Sequence, residues 1–183
     1  MGQQALLVID LQNDYFPSGK WPLVGIDAAA ANAARVIHAA RAAGVPVVHV
    51  RHEGLSAEAP FFAPGTDGAD IHASVLPQGG EAVVTKHYPN AFRGTDLEQT
   101  LDARGVEEVT VIGAMSHMCI DAASRAAADL GYKVTVIHDA CATRDLEFDG
   151  RTVPAAQVHD AFMSALGFAY ASVVATEDYL ARA

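Results

Sequence analysis

The chain has 183 residues, with 22 acidic against 12 basic side chains and only two cysteines. That length gives one sizeable core but would cramp a second domain, so one domain over residues 1–183 is expected. The acidic balance, with no Lys/Arg cluster to offset it, argues against nucleic acid or an anionic membrane surface as partner, and no apolar run approaches a membrane span.

Ala5-Leu6-Leu7-Val8-Ile9 reads as a first strand ending in Asp10, followed by Leu11-Gln12-Asn13-Asp14-Tyr15-Phe16. A strand starting this near Met1 leaves no room for a targeting peptide, and Cys119 and Cys141 form no CxxC pair, so a reducing cytoplasm is the expected location. Asp27 is expected to cap a helix running to about Arg41 and stopped by Gly44, after which Val45 to Val50 supply a second strand. Residues Glu53 to Gly80 carry Pro60, Pro64, Gly65, Gly68, Pro77, Gly79 and Gly80 and form the longest irregular segment, a lid or interface element. Glu81 to Thr85 make a third strand that ends in Lys86, followed by His87-Tyr88-Pro89-Asn90-Ala91-Phe92. A helix capped near Thr95 and closed by Gly105 leads to the β-branched run Val109-Thr110-Val111-Ile112. The turn Gly113-Ala114-Met115-Ser116-His117-Met118-Cys119-Ile120 opens an alanine-rich helix that runs to Gly131. A fifth strand at Val134 to Ile137, a helix from about Ala155 to Leu166 and a last strand near Ser172-Val173-Val174 follow. This alternation implies an α/β chain of three layers, a mainly parallel sheet of about six strands with helices on both faces and right-handed crossovers.

Three of those strands end in an acid, a base and a thiol, and parallel strands would bring all three groups to one edge of the sheet. Ser116 can cap the following helix, which puts Cys119 near its third position, where unpaired N–H groups and the helix dipole favour a thiolate. The other reading of Cys119 is a small buried hydrophobe, of Asp10 a turn residue or cap, and of Lys86 a solvated strand end. As a set they suit nucleophilic chemistry. A thiol attacks a carbonyl as thiolate, Asp10 could take its proton, and Lys86 beside both would stabilise the negative charges and lower the thiol pKa. Backbone N–H groups at the helix start would then receive the oxyanion. A nucleotide does not fit, because the turn after the first strand holds Asp10 and Asp14 and no glycine, and no phosphate-binding glycine loop occurs elsewhere. No cofactor is expected.

Val8-Ile9-Asp10-Leu11-Gln12-Asn13-Asp14-Tyr15-Phe16, Thr85-Lys86-His87-Tyr88-Pro89-Asn90-Ala91-Phe92, the Gly113 to Ile120 turn, Gly131-Tyr132-Lys133-Val134 and Asp139-Ala140-Cys141-Ala142-Thr143 stand in an order and spacing that span nearly the whole chain. In these segments the sequence resembles the isochorismatase-like cysteine hydrolases of the isochorismatase/nicotinamidase superfamily. The resemblance implies the same three-layer fold and a metal-independent hydrolase that cleaves a C–N bond of a small amide, carbamoyl compound or lactam through a thioester. It implies Asp10, Lys86 and Cys119 as the catalytic residues, and a cis peptide at Ala114–Met115 that turns the Met115 amide toward the same oxyanion point as the Cys119 amide. It also implies a homo-oligomer of at least two copies.

Related nicotinamidases carry an Asp-x-His metal pattern after the second strand, where this chain has Arg51-His52-Glu53. No metal is therefore expected, with His52, Asp67, Asp70 and His72 as the residues that would have to converge to hold one. Isochorismatases proper lack the cysteine. The alternatives are an isochorismatase-type or metal-assisted nicotinamidase-type hydrolase, and a thiol redox or sensing protein with Cys141 as the resolving thiol. Gln12, Phe16, Trp21, Tyr88, Phe92 and His117 adjoin the three candidates and could line a substrate pocket. Phe16 and Phe92 read equally well as core, and Gln12 and Asn90 as ties within their own loops. Cys141 reads as packing, Asp139 as a holder of loop backbone near the site, and His159 with Met163 as one helical face in core or subunit contact.

Overall fold

A computed structural model describes residues 2–182. In chain order its strands are β1 Gln3–Ile9, β2 Val47–His52, β3 Ala82–Lys86, β4 Val106–Ala114, β5 Lys133–Ala142, β6 Leu146–Phe148, β7 Arg151–Val153 and β8 Ala171–Val174. The helices are α1 Ile26–Ala42, α2 Leu97–Asp102, α3 Asp121–Asp129, α4 Ala155–Ala169 and α5 Thr176–Leu180. Six strands form one sheet in the order β3-β2-β1-β4-β5-β8, and every neighbouring pair in it is parallel. Among the described residues no helix is long and apolar enough to cross a membrane.

The side-chain period of two divides the central strands between two cores. Leu6 and Val8 of β1 and Ile112 and Ala114 of β4 face α1, with Ala33, Val36 and Ile37 buried against them and Tyr179 of α5 alongside. Ala5, Leu7 and Ile9, with Val109 and Val111, face the opposite layer of α2, α3 and α4, represented by Leu101, Ala123, Ala127 and Leu166. Both faces of the sheet are therefore dry, which is why β1 reads as an unbroken apolar run.

Helix entry differs from the sequence expectation. Asp27 does not cap α1; Gly25, at φ +74°, precedes it, and Asp27 lies in the first turn, where its charge suits the positive end of the dipole. Ser116 is not a cap either. Ser116–Ile120 form one wide π-type turn ahead of α3, and the Ser116 hydroxyl is bonded elsewhere. The β6–β7 hairpin was not expected. It closes around Asp149-Gly150, both with positive φ, a turn pair whose signal stands in the sequence between Phe148 and Arg151.

Gly113 is required by contact. At φ +126° it lies against β1 so closely that a Cβ would run into the backbone of Ile9. Just there the β4–β5 register slips, from Val111 opposite Val136 to Gly113 opposite Cys141, and the bulge carries the end of β5 up beside the Ser116 turn.

Candidate active site

Four strands adjacent in the sheet deliver the site. Lys86 is the last residue of β3, His52 the last of β2, Asp10 follows β1, and Cys119 lies in the turn after β4. His52 and Lys86 are direct register partners. Asp10 leaves β1 with φ +52°, a left-handed conformation that few residues other than glycine adopt and that Asp tolerates better than most. Its N–H still donates to Val50 O at 2.9 Å, so the chain turns while the ladder to β2 continues.

The Lys86 ammonium is the hub. Its Nζ stands 2.7 Å from Asp10 Oδ2, 3.3 Å from Cys119 Sγ and 3.0 Å from His52 Nδ1. Asp10 and Lys86 are fully buried and Cys119 is 5% exposed. Burial pulls the ammonium down, but Asp10 and then Cys119 outweigh it, and its pKa lies above the usual lysine value. Burial and the Lys86 charge push His52 down to about 4, so at neutral pH it accepts from the ammonium. Asp10 Oδ1 has no hydrogen-bond partner among the described residues. Tyr15, 1% exposed, completes the wall: burial first, then Asp10 and Cys119, raise its phenol well above the usual value.

The expectation of a thiol poised as thiolate is corrected by this geometry. Burial, and then the Asp10 charge, push the Cys119 thiol well above its ordinary value, and Lys86 draws it back only in part. With Ser116 uninvolved in capping, the sulfur gains little from a helix start. The resting state is a protonated thiol beside an Asp10–Lys86 ion pair.

The residues expected to line a pocket divide. Gln12 is fully buried and clamps His52: its Oε1 accepts from His52 N at 2.8 Å, while Nε2 donates to His52 O and to Ala69 O, each at 2.7 Å. Both of its N–H donors are spent on backbone and the side chain is fully buried, so it holds structure and does not line a pocket. Phe16 is core, stacked on His72 with ring centroids 3.5 Å apart. Phe92 packs toward Tyr132 in the opposite core, and Asn90 Oδ1 accepts from Phe92 N within their own loop. Tyr88 is partly exposed beneath the Arg93 guanidinium. Trp21 and His117 meet around a residue that the sequence reading passed over. The Arg144 guanidinium stands 4.2 Å over the Trp21 ring; burial first and then the Arg144 charge lower the pKa of His117, while at Tyr15 the same charge only partly offsets the rise. His117 Nδ1 lies 2.6 Å from Thr143 Oγ1.

His52 does not meet Asp67, Asp70 and His72; His72 Nδ1 bonds Ser74 and its ring lies on Phe16. Arg51 Nη2 and Glu53 Oε1 pair with each other at 2.9 Å. The long segment is anchored to the site by Asp14, whose Oδ2 accepts from Phe62 N at 2.6 Å and whose Oδ1 accepts from Lys20 N at 3.1 Å. Asp139, expected near the site, instead accepts from Thr176 N and Oγ1 and fixes the start of α5. Met163 is core, whereas His159 reaches from α4 to Ser116, its Nδ1 2.8 Å from Oγ. The Ala114–Met115 peptide is cis.

Residues 4–177 match the family model described as Isochorismatase domain. The chain belongs to the isochorismatase family. It is 51% identical to the uncharacterized isochorismatase family protein YddQ of Bacillus subtilis, over 96% of this chain and 98% of that one. A crystal structure assigned to an isochorismatase hydrolase of Oleispira antarctica superposes with a TM-score of 0.95 at 58% identity, covering 98% of this chain and 97% of that one. Maleamate amidohydrolase of Pseudomonas putida is 32% identical over 76% of this chain and 72% of its own length. The chain is therefore an isochorismatase-family hydrolase, and its relatives include amidohydrolases.

Proposed function

We propose that the protein is a metal-independent cysteine hydrolase that cleaves the C–N bond of a small amide or carbamoyl compound bearing a carboxylate. The observation that carries the reading is the single ammonium of Lys86, held at once against the Asp10 carboxylate and the Cys119 sulfur in a buried site. A water-poor site strengthens the attraction between these charges relative to bulk solvent.

In this mechanism the raised thiol pKa is useful, because the proton leaves Cys119 only as a carbonyl arrives to take the sulfur's electron pair. Asp10 accepts that proton, the S–C bond forms, and the carbonyl oxygen becomes an oxyanion between the backbone N–H groups of Met115 and Cys119. Asp10 then returns the proton to the departing nitrogen, the C–N bond breaks, and a thioester remains. Water, activated by Asp10, attacks the thioester; the carboxylic or carbamic acid departs and Cys119 regains its proton. Lys86 remains protonated throughout and balances whichever neighbour is negative. Metal independence is supported by the Arg51–Glu53 pair, which stands where nicotinamidases carry their Asp-x-His pattern.

The carboxylate follows from Arg144. Its guanidinium pairs with no carboxylate among the described residues, and beneath it the buried Trp21 Nε1–H has no acceptor. A cation and a free donor side by side fit an anionic group. Maleamate, the substrate named in one relative, is such an amide. The test is a panel of small amides and ureido acids, each with its neutral counterpart, read by ammonia release. Activity on the acids that vanishes in Cys119→Ala supports the reading. Arg144→Gln should raise KM for them by roughly tenfold or more with a smaller change in kcat, since a hydrogen bond to a charged group is worth about 1.5–3 kcal/mol. Equal turnover by Cys119→Ala would refute it.

A further inference from the structure

The groups gathered around Lys86 are also metal ligands. A ring nitrogen of His52, the Cys119 sulfur and an Asp10 oxygen all lie within 4.8 Å of one another. Nitrogen, thiolate and carboxylate form a tetrahedral donor set for zinc or cobalt, whose bonds of about 2.0–2.3 Å the three could meet by a small contraction. The ligands are held from behind. Gln12 grips the backbone of His52 on both its N–H and C=O, and Asp10 and Cys119 are buried. Asp10 is fully buried and its Oδ1 is unpartnered, a lone pair without a donor. A cation already occupies the centre of this set, and it is the ammonium of Lys86.

We propose that Asp10, His52 and Cys119 form a latent transition-metal site whose resident cation is the Lys86 ammonium, and that Zn²⁺ or Co²⁺ binds there in its place. Charge and protons balance without redox chemistry: the Cys119 proton passes to solvent, and thiolate and carboxylate then supply two negative charges to the dication. Lys86 opposes this by direct repulsion and must swing aside or give up its own proton. The metal consumes the sulfur lone pair that an attacking thiolate would use, so it acts as an inhibitor and not as a cofactor. The site would exist whether or not Cys119 turns over an amide.

The test is anaerobic titration of the purified, reduced protein with Co²⁺, read by the thiolate-to-cobalt charge-transfer band and the tetrahedral d–d bands. Lys86→Met should bind Co²⁺ at least about tenfold more tightly than wild type, and adding Cys119→Ser should abolish the charge-transfer band. His52→Leu in the Lys86→Met background should weaken binding about tenfold or more. In case Lys86→Met fails to fold, excess Zn²⁺ should slow iodoacetamide modification of Cys119 in the wild-type protein and leave it unchanged in His52→Leu. The proposal is overturned if folded Lys86→Met binds no more tightly than wild type, if the band survives loss of Cys119, or if Zn²⁺ protects the His52→Leu thiol as well as the wild-type one.

Discussion

Lys86 shows how far a single side chain can be read from sequence. Its strand-end position, shared with Asp10, followed from apolar runs and parallel topology alone. Its third partner, His52, obeyed the same rule, standing at the end of β2. It was set among loop histidines because the strand was placed two residues too early, at Val45 instead of Val47. What the linear pattern could not supply was burial, and burial reverses the expected thiol behaviour. Iodoacetamide at pH 6.5 should therefore modify Cys119 slowly, in common with Cys141, which burial pushes up to about 12. Asp10→Asn removes the negative neighbour and should speed alkylation of Cys119, while Lys86→Met should slow it, since the first raises and the second lowers the thiol pKa in the wild-type protein. Rates followed by mass spectrometry as a function of pH decide this; the opposite order for the two variants would remove the electrostatic account of the site.

Between single side chains and the sheet stand two ties that hold loops to strands. Gln12 acts as a piece of β-ladder, its amide bonding both backbone groups of His52. Replacing it with Leu strands three backbone partners, one buried and two part-buried, and should destabilise the fold by about 2–4 kcal/mol in urea denaturation. A loss no larger than that of a surface substitution would mean that water takes over those bonds. Glu81 binds the start of β3 to the end of α1, with Oε1 and Oε2 at 2.7 and 2.8 Å from the Arg41 guanidinium, and it also accepts from Gln78 N. Buried His49 lies 3.0 Å away, and because burial outweighs the carboxylate it stays neutral and can donate from Nε2. Arg41 chiefly, and Gln78 N and His49 besides, hold Glu81 at about 2 instead of 4.5. A carboxyl depressed on folding contributes stability that is complete above its unfolded pKa and is lost as pH falls through the folded value. Glu81→Gln should thus cost about 1 kcal/mol at neutral pH, screened as it is by water at its rim, and the difference from wild type should shrink between pH 4.5 and about 2. Thermal melts across that range measure it. Gln12 reads from sequence as a tie within its own loop and instead reaches across to β2, and Glu81 gives no signal at all, because each joins residues far apart in the chain with ordinary polar side chains, whose contacts no periodicity announces.

The six-strand parallel sheet was readable throughout, because two-sided burial gives short unbroken apolar runs and α1, α2 and α3 are each followed by a positive-φ glycine, Gly44, Gly105 and Gly131. The β6–β7 hairpin was missed because its strands are three residues each, too short for a period of two to register. Phe168, 91% exposed on α4, and Phe148, 70% exposed on that hairpin, are large apolar groups on the outside of the fold. With the alanine-rich helices they accord with the proposal of at least a dimer; light scattering should give a mass of two or more copies at micromolar concentration, and a monomer there would refute it.

More than half of the chain separates Asp10 from Cys119, and the four strands that carry the site are the middle and one flank of the sheet. No fragment shorter than β1 through the turn after β4 holds all four groups, so the cluster exists only after the long-range closures of those parallel strands are complete. Until then Cys119 is an ordinary hydrated thiol, with a pKa near 8.5. The folded thiol is thus the less reactive of the two, and a rise in its alkylation rate near pH 8 marks release of the sulfur from the cluster. In native-state thiol exchange Cys141, buried where the β4–β5 register slips, should report the opening of that strand pair, whereas Cys119, in the turn after β4, reacts from the folded site at a rate its charged neighbours set.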